Sequence, residues 1–217
     1  MRVPSAHRSV VAGSVLVGLL AASSVAAPAA LAAQSSQAPP AATLRQMYEA
    51  GTDFDTFLAA AQRRREMWDA NWAKGDPADG FVQRAAALQG RYRILAVAID
   101  SCSDSVNTIP YLARLVERVD QLELQIVPPD VGELLMETYR TPDERSATPT
   151  VAILNEDFEL VGTWIERPSA LQDWFIDHPE ISISEKARRK QGWYDWDEGY
   201  STYEEIVALL EAADAVR

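Results

Sequence analysis

The stretch Tyr92-Arg93-Ile94-Leu95-Ala96-Val97-Ala98-Ile99-Asp100-Ser101-Cys102-Ser103-Asp104-Ser105 sets the frame for the rest of the chain. Its first eight residues are a nearly continuous apolar run, the pattern of a central strand buried on both faces of a parallel sheet. The next six are small, polar and rich in helix-capping types, and Val106, Ile109, Leu112, Leu115, Val116 and Val119 follow at helical spacing. Cys102 therefore falls at a strand-to-helix junction. There it faces unpaired backbone N–H groups and the positive end of a helix dipole, both of which favour thiolate over thiol. Pro110 lies inside the helical pattern, and a kink is expected there.

Working outward, Leu122 to Val127 reads as a second strand and Val131 to Tyr139 as a helix, which completes a parallel βαβ unit. A polar loop from Thr141 to Thr148 leads through Pro149 into a β-hairpin, with strands over Thr150 to Leu154 and Phe158 to Trp164. Pro168 or Ser169 opens a helix through Leu171, Trp174 and Phe175. Upstream, residues 43–71 suggest two helices parted near Gly51 and Thr52, with Thr52 or Asp53 as cap and Arg63-Arg64-Arg65 on a solvated helix face. A short helix is expected from Phe81 to Leu88. Downstream, Ser184 to Lys190 is basic, Trp193 and Trp196 are expected to cover a core edge, and Ser201-x-x-Glu204 matches a capping box opening a last helix. One domain over residues 43–217 with helical additions at both ends is the economical reading.

Arg2, His7 and Arg8 precede an apolar run from Val10 to about Ala27 and then Ala30-Leu31-Ala32, so residues 1–33 read as a cleaved signal peptide, with an uncleaved anchor as the alternative. Residues 34–42 read as a flexible leader. An exported location, periplasmic or extracellular, follows. Arg2 and Arg8 are two of the 20 basic residues, so the mature chain carries 18 against 32 acids, a net charge near −14. Such a surface repels phosphate backbones, and no nucleic-acid partner is expected. One cysteine allows no internal disulfide, and His178 is the only histidine beyond the signal, which leaves no zinc-like ligand cluster and no expected cofactor or metal.

The succession of strand, Cys-x-x-Ser at a helix start, proline eight residues after the cysteine, βαβ, Thr-Pro, hairpin and helix resembles the thioredoxin fold. Cys102-Ser103-Asp104-Ser105, Asn107, Pro110-Tyr111-Leu112-Ala113, Thr148-Pro149 and Gly162-Thr163-Trp164-Ile165-Glu166-Arg167-Pro168 resemble a bacterial thioredoxin-like family, from about Met47 onward. That family usually reads Trp-Cys-Gly-Asp at its active site and Gly-x-Trp-x-x-Arg-Pro after the hairpin. Ser101 and Ser103 depart from it. The resemblance implies an α/β fold with a central mixed sheet flanked by helices, a cis Pro149 facing Cys102, and a Thr148 backbone available to pair with an extended substrate. It also implies substrate-binding positions at Trp164 and Arg167, the latter placed to pair with an acid near the helix cap.

In a Cys-x-x-Cys site the second thiol resolves the mixed disulfide, and Ser105 cannot. Cys102 could still exchange with a small thiol or disulfide, or with a protein partner. Asp100 and Asp104 disfavour a thiolate by like charge; Asp104 is read as a helix cap, or as a proton acceptor for the thiol. Two functions stay open: monothiol thiol–disulfide exchange through Cys102, Asp104 and Ser105, or a redox-inactive module that binds a peptide or protein segment. A metal or iron–sulfur site bridged between subunits is weaker, with one thiolate per chain.

Overall fold

A computed structural model describes residues 38–217, so the signal reading of residues 1–33 lies outside the described residues. Three helices come first: α1 (Ala41–Glu49), α2 (Phe54–Ala60) and α3 (Arg65–Lys74), then α4 (Asp79–Ala86). The βαβ unit follows as β1 (Tyr92–Val97), α5 (Ser103–Val106), α6 (Ile109–Arg118) and β2 (Leu122–Val127). After α7 (Glu133–Thr138) come the hairpin strands β3 (Thr150–Leu154) and β4 (Leu160–Ile165), then α8 (Ser169–Asp177), α9 (Ile183–Asp197) and α10 (Tyr200–Asp214).

The four strands form one mixed sheet in the order β2-β1-β3-β4. β1 runs parallel to β2, with Tyr92 opposite Leu122 and Val97 opposite Val127, and antiparallel to β3, with Val97 opposite Thr150. β3 and β4 are antiparallel. Alternation along a strand sends side chains to opposite faces. Ile94 and Ala96 accordingly enter a core with Trp68, Leu112, Leu115, Ile206 and Leu210, beneath α2, α3, α4, α6 and α10. Leu95 and Val97 enter a second core with Leu44, Leu135 and Phe158, beneath α1 and α7. Both faces of β1 are thus covered, as its unbroken apolar run requires. Burying each such leucine or isoleucine contributes about 1.5–3 kcal/mol.

Several local expectations are corrected. Residues 43–71 hold three helices, because the N–H groups of Gln62 and Arg63 turn to the Asp100 carboxylate at 2.9 Å each and end the helical path. The arginine run therefore lies in a loop and a helix start, with Arg64 in the left-handed region at φ 55°. Asp53 does cap α2, its Oδ1 accepting the Thr56 N–H at 2.7 Å. The helix after Cys102 is broken, not kinked: α5 ends at Val106, and Pro110 sits in the first turn of α6, where no intrahelical N–H is needed. The capping box is absent. Gly199 precedes α10, the Ser201 N–H and hydroxyl go to Asp197, and Glu204 pairs with Arg84 at 2.7 Å. β4 starts at Leu160, since Phe158 turns the hairpin at φ 63°.

Candidate functional site

β1 ends below the surface, and the chain turns through Asp100 and Ser101 to place Cys102 immediately before α5. Two residues from the start of α3 hold this turn. The Trp68 indole donates to the Asp100 carbonyl at 3.1 Å, and Arg64 Nε donates to the Ser101 carbonyl at 2.7 Å. The Asp100 carboxylate is occupied by the loop N–H groups of Gln62 and Arg63.

Cys102 is half-buried, and its Sγ is the cap of α5, accepting the Ser105 N–H at 3.4 Å. On its other side Sγ donates to the Thr148 carbonyl at 3.2 Å. The Thr148–Pro149 peptide is cis, and Pro149 is buried while Thr148 remains partly exposed. Cys102, Ser105, Thr148 and Pro149 are therefore brought together. The Thr148 N–H has no hydrogen-bond partner among the described residues. Ser105 is fully buried, and its hydroxyl likewise lacks a partner.

Asp104 takes no part in capping. It points inward, where Lys190 Nζ donates to Oδ2 at 2.6 Å and the Tyr194 hydroxyl donates to Oδ1 at 2.9 Å. Arg167 Nε lies 3.4 Å from Oδ1, so the expected pairing of Arg167 with an acid near the cap is met by Asp104 itself. Arg167 also pairs with Glu166, which Arg145 engages at 3.0 Å. Burial and the adjacent Asp104 charge push the Tyr194 phenol well above its ordinary range, so it stays a donor. Lys190 also reaches the Ser103 hydroxyl at 2.7 Å, which ties the first two residues of α5 to α9.

Trp164 stands apart from the thiol. It is buried on β4, and its indole donates to Glu205 of α10 at 2.6 Å. Trp193 and Trp196 do not both cover a core edge, since Trp196 is 78% exposed. Sequence reasoning missed Lys190 and Tyr194, although their i, i+4 spacing in a basic helix marks one shared face. It also missed the supporting role of residues 62–64. Among the described residues no cluster of three or more His, Cys, Asp or Glu could hold a metal, and no helix is long and apolar enough to cross a membrane.

Two solved structures are similar in fold. One is a protein of unknown function from Pseudomonas aeruginosa, 22% identical with a TM-score of 0.56, covering 77% of this chain and 96% of its own. The other is an HIV epitope-scaffold, 20% identical with a TM-score of 0.58 and the same coverages. No curated protein matches the chain. The family model described as thioredoxin matches residues 51–207, which takes in the whole sheet, the Cys102 junction and the Thr148–Pro149 loop, and the chain belongs to the thioredoxin family.

Proposed function

We propose that this chain is a monothiol, redox-inactive thioredoxin-fold module that binds an extended peptide or protein segment beside Cys102 and Thr148. The observation that carries this reading is the 3.2 Å contact between Cys102 Sγ and the Thr148 carbonyl. The thiol proton is directed at that carbonyl, so the sulfur is engaged with the loop backbone of its own chain. The Cys-Ser-Asp-Ser sequence adds no second thiol, so a mixed disulfide would find no internal group to resolve it. What the edge offers instead is a free Thr148 N–H on a partly exposed backbone, the kind of group that an added strand satisfies. In this reading Asp104, Ser105 and Arg167 position the loop, Trp164 anchors β4 to α10, and the apolar N-terminal segment directs the module to the periplasm or beyond.

Thiol exchange with a low-molecular-weight disulfide is the second reading, favoured by the Ser105 N–H on Sγ, which would also stabilise a thiolate. Intact mass after incubation with oxidised glutathione separates the two. The binding module stays unmodified while folded and gains the adduct only in denaturant. A stoichiometric adduct on the folded chain, followed by release to a second thiol, establishes exchange instead.

A further inference from the structure

α9 has two faces. Lys190, Tyr194 and Asp197 point inward, whereas Arg189, Gly192, Trp193 and Trp196, at i, i+3, i+4 and i+7, form one outward stripe. Opposite the stripe stand Leu171 and Trp174 of α8, and the six residues line an open groove of about 350 Å³. The fold does not need this surface, because Trp196 is 78% exposed and an apolar ring left in water marks an interaction site when it belongs to a patch. Trp193 and Trp196 meet edge-on at 6.5 Å, while the ring of Trp174 is held by the stacked His178 at 4.8 Å. The groove is open at Gly192, with nothing within 4 Å of where a Cβ would stand.

The polar side-chain groups of the residues lining the groove are all donors. The indole N–H groups of Trp174, Trp193 and Trp196 have no partner among the described residues, in contrast to the bonded indoles of Trp68 and Trp164. Arg189 adds further donors beyond the Nε that it gives to Glu185. No carboxylate, amide or hydroxyl side chain lines the groove. A saccharide brings a donor on every hydroxyl and would find no side-chain acceptor among the lining residues. An alkylammonium ion would meet the Arg189 guanidinium, which already lies 5.8 Å from the Trp174 ring centre. An apolar helix face would desolvate the donors without satisfying them. A polyproline II segment fits: its rings are compact and apolar, its prolines carry no N–H, and its carbonyls are free to accept.

We propose that the α8–α9 groove docks a proline-rich segment of a partner protein in the polyproline II conformation. The site is independent of the Cys102 edge. The test titrates the isotope-labelled chain with end-capped decaproline and with a capped Gly-Ser peptide of equal length, reading the indole N–H signals. Decaproline shifts the signals of Trp174, Trp193 and Trp196 saturably and leaves those of Trp68 and Trp164 in place. Trp196→Ala, which removes an exposed ring and keeps the fold, weakens binding about tenfold, the scale of one lost aromatic anchor. Equal responses to the two peptides, or unchanged affinity in Trp196→Ala, overturns the proposal. So does saturation by a β-linked glucose hexamer in place of decaproline, or a dimer in sedimentation that Trp196→Ala abolishes, which assigns the groove to a second copy.

Discussion

Asp104 shows how a residue's role can be set by partners far along the chain. Its type and position argue for a helix cap, a local preference. Lys190 and Tyr194, 86 and 90 residues downstream, draw the carboxylate inward instead, and Cys102 Sγ takes over the cap. No local pattern could show this, whereas the Cys102–Thr148 juxtaposition was legible through the family-like segments on either side. Removing one member of a buried charge cluster leaves the others unmatched. Asp104→Ala is expected to lose about 3–5 kcal/mol in urea unfolding, because Lys190 loses its one carboxylate partner among the described residues and Arg167 one of its two. Cys102→Ser is expected to change stability by less than about 1 kcal/mol by the same measurement, since a hydroxyl can both accept from Ser105 and donate to Thr148.

At the scale of elements, the α9–α10 junction is the tightest constraint. Gly199 adopts φ 82°, and a Cβ there would stand 2.3 Å from the Tyr111 ring of α6. Gly199→Ala therefore combines backbone strain with overpacking, and a loss of about 2–4 kcal/mol is expected in thermal or urea unfolding. Leu210→Ala, in the fully buried stripe of α10, is expected to cost a similar 2–5 kcal/mol or so through its cavity. Helical periodicity made α10 legible, but its start was misread, because Ser201 finds Asp197 in the preceding helix before it can pair with Glu204. The break between α2 and α3 was hidden for a related reason: the acceptor that ends the helical path is Asp100, on the far side of β1 in sequence.

Across the whole molecule, the apolar runs of β1 and β3, the apolar-polar alternation of β2 and the order of elements made the sheet readable, since burial on two faces or one leaves a strong compositional trace. The tyrosines leave a different trace. Burial raises the phenols of Tyr48, Tyr92, Tyr111, Tyr139, Tyr194 and Tyr203 above the ordinary value, so the folded chain keeps those protons longer than the unfolded chain. Their contribution is complete below the unfolded tyrosine value of about 10 and is lost as pH rises above it. Stability against urea is expected to fall steeply from that pH upward, with tyrosinate absorbance and loss of ellipticity appearing together. Early, non-cooperative ionisation of these phenols with the fold intact would contradict the burial.

The binding reading is tested most directly by selecting an extended peptide from a random displayed library against the folded chain, then titrating it calorimetrically into wild type and Cys102→Ser. The predicted result is affinities equal to within about twofold, with amide shifts centred on Ser101 to Ser103 and on Thr148. A loss of about tenfold or more in the serine variant, or a covalent peptide adduct formed by the wild type alone, would show that the thiol performs exchange.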